Sequence, residues 1–109
     1  MKVTFLGTNG WYNYENHETS CVFIEAKKVN LIFDLGSGIK NLNKINFTKK
    51  PTYLFLSHLH LDHIIGTHYL SSIKKLPNLE IILNKNYYKS FKKIFSEPYT
   101  LKYTKYKYR

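Results

Sequence analysis

The chain opens on alternation: in "KVTFLG", Val3 and Phe5 are separated by polar neighbours, a period of two that predicts a strand. "SCVFIEA" repeats it, with Cys21, Phe23 and Glu25 on one side, and "VNLIFDLG" reads as a third strand running into an aspartate and a glycine turn. Between Gly7 and Thr19 lies a polar and aromatic loop, "TNGWYNYENHE". Its Asn9-Gly10 pair favours a turn, and its length suits the mouth of a site.

Beyond "DLGSG" the period lengthens. Ile39 and Leu42 stand three apart and predict a short helix from Ile39 to about Lys44, followed by loop in "NFTKKP". "TYLFLS" is a continuous apolar run of the kind found in strands covered on both faces. Leu70, Ile73 and Leu76 share one stripe, predicting a helix from about Ile64 to Leu76 that Pro77 closes. "LEIILN", Leu79 to Asn84, reads as another strand. "NYYKSFKKIFS" reads as an amphipathic helix with Tyr87, Phe91, Ile94 and Phe95 inside, Lys89, Lys92 and Lys93 outside, and Pro98 at its end. The tail "YTLKYTKYKYR" has the β-branched and aromatic content of a strand.

Strands alternating with helices make this an α/β chain. No repeat and no flexible linker divides residues 1–109, so they read as a single domain, long enough for a modest core but short for two structural layers. Hydrophobic residues at 43% and aromatics at 17% exclude a disordered chain. No run approaches the roughly 18 apolar residues of a membrane span, and the start lacks an apolar secretory segment, so no membrane role and a cytoplasmic location are expected. The single Cys21, inside an apolar run, reads as a small buried hydrophobe rather than a ligand or disulfide partner.

The net charge of +10 points to an anionic partner such as nucleic acid or a phosphoester. Composition weakens the point: all but one of the 17 basic residues are Lys, and Arg, whose planar fork suits phosphate, is nearly absent. A local excess survives from Lys85 to Arg109, where eight positive residues face one Glu97.

Histidine and aspartate change the picture most. "LFLSHLHLDHIIG" gathers His58, His60, Asp62 and His63 directly after a buried-strand pattern, in a chain with five histidines and two aspartates. Neutral imidazole and carboxylate suit zinc and related divalent ions. If the backbone is still extended, His58 and His60 point the same way, Asp62 shares their alternation, and His63 swings aside at the bend into the helix. Two ions a few ångström apart would then be held, an arrangement that suits hydrolytic displacement. An isolated one-ion loop and a plain group of surface histidines are the simpler alternatives.

"HLHLDH" resembles the His-x-His-x-Asp-His signature of the metallo-β-lactamase superfamily. "VTFLGTNG", "TSCVFIEA", "LIFDLGSG" and "DHIIG" are similar to its neighbouring strands and turns, so the resemblance runs from Met1 to about Leu76 and on through "LEIILN". It implies the N-terminal half of an αββα sandwich, a mixed β-sheet with helices on one side and a metal site at its edge. By matching position, His58 and His60 belong to a first metal, and Asp62 and His63 to a second. The resemblance further implies a catalytic role for Asp62 in orienting the attacking hydroxide, and a supporting role for Asp34 near the floor of the site. Two Zn²⁺ ions are implied, with Mn²⁺ or Fe²⁺ as substitutes. His17 and His68 match no ligand position and read as a loop residue and a helix-surface residue.

The family completes its site with a further histidine, a bridging aspartate and a final histidine. After His68 this chain has no histidine, after Asp62 no aspartate, and Glu80 and Glu97 match none of the absent ligands. Each metal would keep two protein ligands, fewer than the three usual for catalytic zinc. Three origins are consistent with this: a fragment of a longer enzyme, a truncated or degenerate gene product, or a half completed by a partner, whether a separate C-terminal half or a second copy. Taken alone, the chain is expected to be inactive or very weak.

Within the superfamily, "FLGT" followed by "TSC" looks most like the phosphodiesterase-type, ribonuclease Z-like members. These include endonucleases that trim transfer RNA 3′ ends and relatives that cleave small cyclic phosphodiesters. One departure is that "GSGIKNLN" replaces the acidic run usual after the Asp-x-Gly turn in the transfer RNA enzymes. The expectation is a metal-dependent phosphodiester hydrolase; lactam, lactone and thioester hydrolysis are carried by other branches of the same fold. From a different class, the Lys and Tyr alternation of the tail suggests a non-catalytic nucleic-acid-binding remnant, its bland counterpart being a strand with Lys on the wet face.

Overall fold

The alternating segments pair in chain order. The computed structural model describes residues 1–73, 76, 78–100 and 107–108, with the backbone alone for the last two. Strands β1 (Lys2–Gly7), β2 (Cys21–Glu25), β3 (Asn30–Phe33), β4 (Thr52–Phe55), β5 (Leu79–Ile82) and β6 (Lys107–Tyr108) form one sheet ordered β1-β2-β3-β4-β5-β6. The first three are antiparallel, and β3 through β6 are parallel. The expected mixed sheet is therefore present.

Register decides what each face buries. Phe23, Ile32, Leu54 and Ile81 are successive cross-strand partners, and none is exposed. Each such side chain contributes roughly 1.5–3 kcal/mol of hydrophobic stabilisation. Ile39, Leu42, Ile64, Leu70 and Phe91 join them in one cluster, so every helical segment that contributes to the core packs on this side. The other face carries Phe5, Val22, Phe33, Phe55 and Ile82 as one row across five strands. Val3, Ile24, Leu31, Tyr53 and Glu80 form the next row. Phe5 is 68% exposed and Phe33 40%, so an apolar sheet face stands open.

That open face corrects one expectation. The apolar run of β4 is covered on one side only, because Tyr53 and Phe55 alternate out of the core and are half-buried, Phe55 stacking on Phe33 at 5.3 Å. The helices also differ in detail. The segment Ser37–Lys44 is a 3₁₀ helix starting two residues before Ile39. The helix expected over 64–76 is a four-residue α1 (Leu61–Ile64) continued as 3₁₀ helix through Ile65–Ser72, ending before Ile73. Tight turns bring this segment onto the Asp34–Gly38 turn; Leu70, Ile73 and Leu76 are buried as the stripe required, and Pro77 lies outside the described residues. After a 3₁₀ turn, α2 spans Tyr88–Ile94, stopping short of Pro98. Phe91 and Phe95 are buried, whereas Tyr87 is 39% exposed, because it belongs to the preceding 3₁₀ turn and is out of phase with α2. Of the expected tail strand, Lys107–Tyr108 pairs with β5, and the remainder from Leu101 on lies outside the described residues.

Two glycines let the site elements meet. A Cβ on Gly36 would lie 2.6 Å from the carbonyl oxygens of both Asp62 and Ser20, and one on Gly66 would lie 2.1 Å from the Gly36 oxygen. The Leu35 N–H donates to the His63 carbonyl and the Gly66 N–H to the Leu35 carbonyl, both at 2.8 Å. The "DLGSG" turn and the histidine segment are thus locked backbone to backbone.

Candidate metal centre

β3 and β4 run parallel and end side by side, so the residues just after them share one rim of the sheet, the position where open α/β sheets bind ligands. After β3 comes Asp34, and after β4 comes Ser57 to His60. The backbone stays extended through His60 (φ −62°, ψ 143°), and the rings of His58 and His60 approach edge to face at 4.5 Å. The alternation expected of Asp62 is replaced by a helical turn. Asp62 lies in the first turn of α1 and is buried, and His63 follows with its ring 4.2 Å from that of His58. His63 Nε2 is 3.4 Å from Asp62 Oδ2. All four residues singled out by sequence are brought together.

Asp34 organises the cluster from beneath. Its backbone is left-handed (φ 59°), which aspartate tolerates better than most residues. Its Oδ1 accepts the Ser57 N–H and hydroxyl, each at 2.8 Å. Ser57 Oγ is also 2.9 Å from His58 Nδ1. A carboxylate only accepts, so the Ser57 proton goes to Asp34 and His58 Nδ1–H donates to Ser57, leaving Nε2 as the lone pair. Asp34 Oδ2 lies 2.9 Å from His63 Nδ1, though the N–H points off that line and Nδ1 has no full hydrogen bond. Such contacts fix the orientation of a histidine ligand.

Sequence reasoning missed Ser57 and Trp11. Trp11, in the first loop with φ 67°, donates its backbone N–H to Asp62 Oδ2 at 2.9 Å, and its indole lies nearly parallel to His60 (11°, centroids 6.2 Å). Burial raises the Asp62 carboxyl, but the Trp11 N–H and the neighbouring His63 outweigh it and hold Asp62 below its ordinary value. Only the length of the loop and its Asn-Gly turn hinted that it would reach the cluster.

The same loop is pinned at its other end. Ser37 Oγ donates to Glu18 Oε2 at 2.6 Å, and Lys40 Nζ meets Glu18 Oε1 at 2.6 Å. Thr19 and Ser37 exchange backbone-to-hydroxyl bonds at 3.0 and 2.8 Å. Burial pushes the Glu18 carboxyl up, but Lys40 and Ser37 overcome this and lower it. His17 and His68 are exposed and lie outside the cluster. Cys21 is fully buried in the core, and desolvation drives its thiol far above the ordinary range, so it is inert.

Three imidazoles and a carboxylate have the donor chemistry of a zinc site. Here they meet in pairs: among the described residues, no three His, Cys, Asp or Glu donors converge so as to hold one ion.

Fold and cluster together define the class. Residues 15–107 match the metallo-beta-lactamase superfamily, and the chain belongs to it, as "HLHLDH" implied. Among particular relatives, ribonuclease Z of Haloarcula marismortui is 36% identical over 67 residues, which cover 61% of this chain and 22% of that protein. Human tRNase Z, short form, superposes with a TM-score of 0.71 at 25% identity over 99% of this chain and 44% of its own. The metallo-beta-lactamase fold protein YhfI of Bacillus subtilis gives 0.66 at 26% identity, over 93% and 44%. The chain thus spans less than half of the solved structures and about a fifth of its curated relative.

Proposed function

We propose that this chain is the N-terminal half of a metal-dependent phosphodiester hydrolase of RNA-processing type. One observation carries the reading: His58, His60, Asp62 and His63 are gathered in neighbouring pairs at the ends of β3 and β4 beside Asp34, in a fold similar to that of human tRNase Z. His58 and His60 would hold one divalent ion, and Asp62 and His63 the other. Zinc suits these donors best, with manganese or iron(II) next. Bound ions would supply charge neutralisation at the phosphoryl oxygens and an acidified water. Asp62, whose carboxylate accepts the Trp11 N–H, would be the acceptor that orients such a water.

Pairwise convergence means the site is unfinished within the described residues. A second sheet layer on the open face, from further polypeptide, a partner half or a second copy, would bring the remaining donors and cover Phe5 and Phe33. The fit to less than half of each related structure supports this, as does the apolar face itself.

Zinc titration against a competing chelator dye tests the donor assignment. Weak binding that disappears in a His58→Ala and Asp62→Ala double variant is expected, with hydrolysis of bis(p-nitrophenyl) phosphate by the chain alone at background. Unchanged zinc affinity in the double variant refutes the assignment. RNA binding that is steeply salt-dependent and indifferent to chelator, without any zinc binding, would instead make the chain a nucleic-acid-binding module.

A further inference from the structure

Trp11 is the only tryptophan of the chain and is 79% exposed, so the fold leaves its most costly apolar side chain in water. Yet it is not loosely placed. Its left-handed backbone (φ 67°) is one that bulky residues rarely adopt and that costs about 1–3 kcal/mol. The N–H bond to Asp62, 51 residues away, holds it there. The result is an indole nearly parallel to the His60 ring, with most of its surface open to solvent.

Beside it lies a cavity of about 230 Å³ lined by Trp11, Tyr12, Asn13, Lys40, Asp62 and Tyr69, among others. Aromatic side chains are among the lining, the Asn13 amide offers both a donor and an acceptor, and the Lys40 charge is matched by its ion pair with Glu18, which also lines the cavity, so the apolar rings and the amide are the groups left for a planar ligand. Asp62 belongs to the cavity wall and to the histidine cluster alike. A planar group in this cavity therefore sits within one residue of the proposed reaction centre.

We infer that Trp11 is the stacking platform for a nucleobase adjoining the phosphodiester to be cleaved, an inference that rests on the phosphodiester reading above. Every base has a π-face, so the contact is tolerant of sequence and favours a single-stranded, unstacked nucleotide. The base in the cavity fixes the register of the chain, and its neighbouring phosphate falls at His58, His60 and Asp62. Trp11 is a positioning residue in this scheme: its ring binds the base, and its N–H orients Asp62.

The single tryptophan makes the test direct. The intact chain is titrated with a short single-stranded oligoribonucleotide, following indole emission for stacking and, on a labelled strand, polarisation for total binding. An abasic strand of equal length retains the phosphates and removes the bases. Expected are quenching by RNA but not by the abasic strand, affinity lowered about 10-fold or more in Trp11→Ala, and affinity within about 3-fold of the parent in Trp11→Phe. Circular dichroism verifies that the variants fold; if Trp11→Ala does not, quenching in the parent chain decides. RNA binding with unchanged emission overturns the stacking and leaves the phosphodiester reading intact. Equal quenching by both strands overturns it too. Failure of the parent chain to bind either strand overturns the stacking as well, while the phosphodiester reading stands or falls by the zinc titration.

Discussion

The carboxylate of Asp34 lies 2.9 Å from Nδ1 of His63 and reaches Nδ1 of His58 through the Ser57 hydroxyl. One side chain thus orients the His58 imidazole through Ser57, leaving its Nε2 as the lone pair, and sets a carboxylate against the Nδ1 side of His63. Replacing it by Asn preserves shape and the left-handed backbone while removing the charge. Zinc affinity of Asp34→Asn, measured by dye competition, is expected to fall about 10–100-fold with the circular dichroism spectrum unchanged. Undiminished affinity would mean that Asp34 only shapes the turn.

The close approach of the two site segments predicts a contrast among glycines. Gly36→Ala and Gly66→Ala put a methyl into backbone atoms that cannot move without parting the Asp34 turn from α1, so each should cost about 3 kcal/mol or more. At Gly10 nothing lies within 4 Å, and Ala there should stay within about 0.5 kcal/mol of the parent. Urea unfolding midpoints compare all three. A mild effect at Gly36 would show that the lock between the segments is slack.

Part of this site was legible because its chemistry is written locally. His58, His60, Asp62 and His63 fall within six positions, and strand parity placed Cys21 and Phe23 on one side of their strand, where both are buried. What stayed hidden depends on contacts between distant segments. Ser57 matters because parallel pairing of β3 with β4 carries it to Asp34, and Trp11 matters because a strained loop bends back 51 residues to Asp62. Periodicity also cannot separate 3₁₀ from α turns over eight residues, which is why the segment at Leu61–Ser72 differs in form while keeping its buried stripe.

Glu18 ties acid stability to the first loop. Its folded carboxyl lies below the ordinary 4.5, so the stability that it contributes is complete above that value and is lost as pH falls through the lowered folded value. Lys40 is shifted upward by the Glu18 bond, so its share is present below 10.5 and is lost only as pH rises past it. Glu18→Gln should therefore cost about 1–3 kcal/mol at pH 6, with the difference from the parent shrinking towards pH 3. Chemical denaturation at the two pH values measures it, and a difference independent of pH would remove the ion pair from the account.

The open sheet face gives the last prediction. Phe5, Val22, Phe33, Phe55 and Ile82 form a continuous row over which no helix of the described residues packs, whereas Phe23 on the opposite face is fully buried. Truncating Phe23 to Ala removes core packing and should cost about 3–5 kcal/mol. Phe5→Thr with Phe33→Thr removes surface that water already reaches, so stability should change by about 1 kcal/mol or less. The double variant should nonetheless bind less of a hydrophobic dye and associate less with itself in sedimentation, because exposed apolar patches of this extent drive association. If the pair unfolds the chain as readily as Phe23→Ala does, the face is already packed within this chain, and it leaves no room for a second sheet layer.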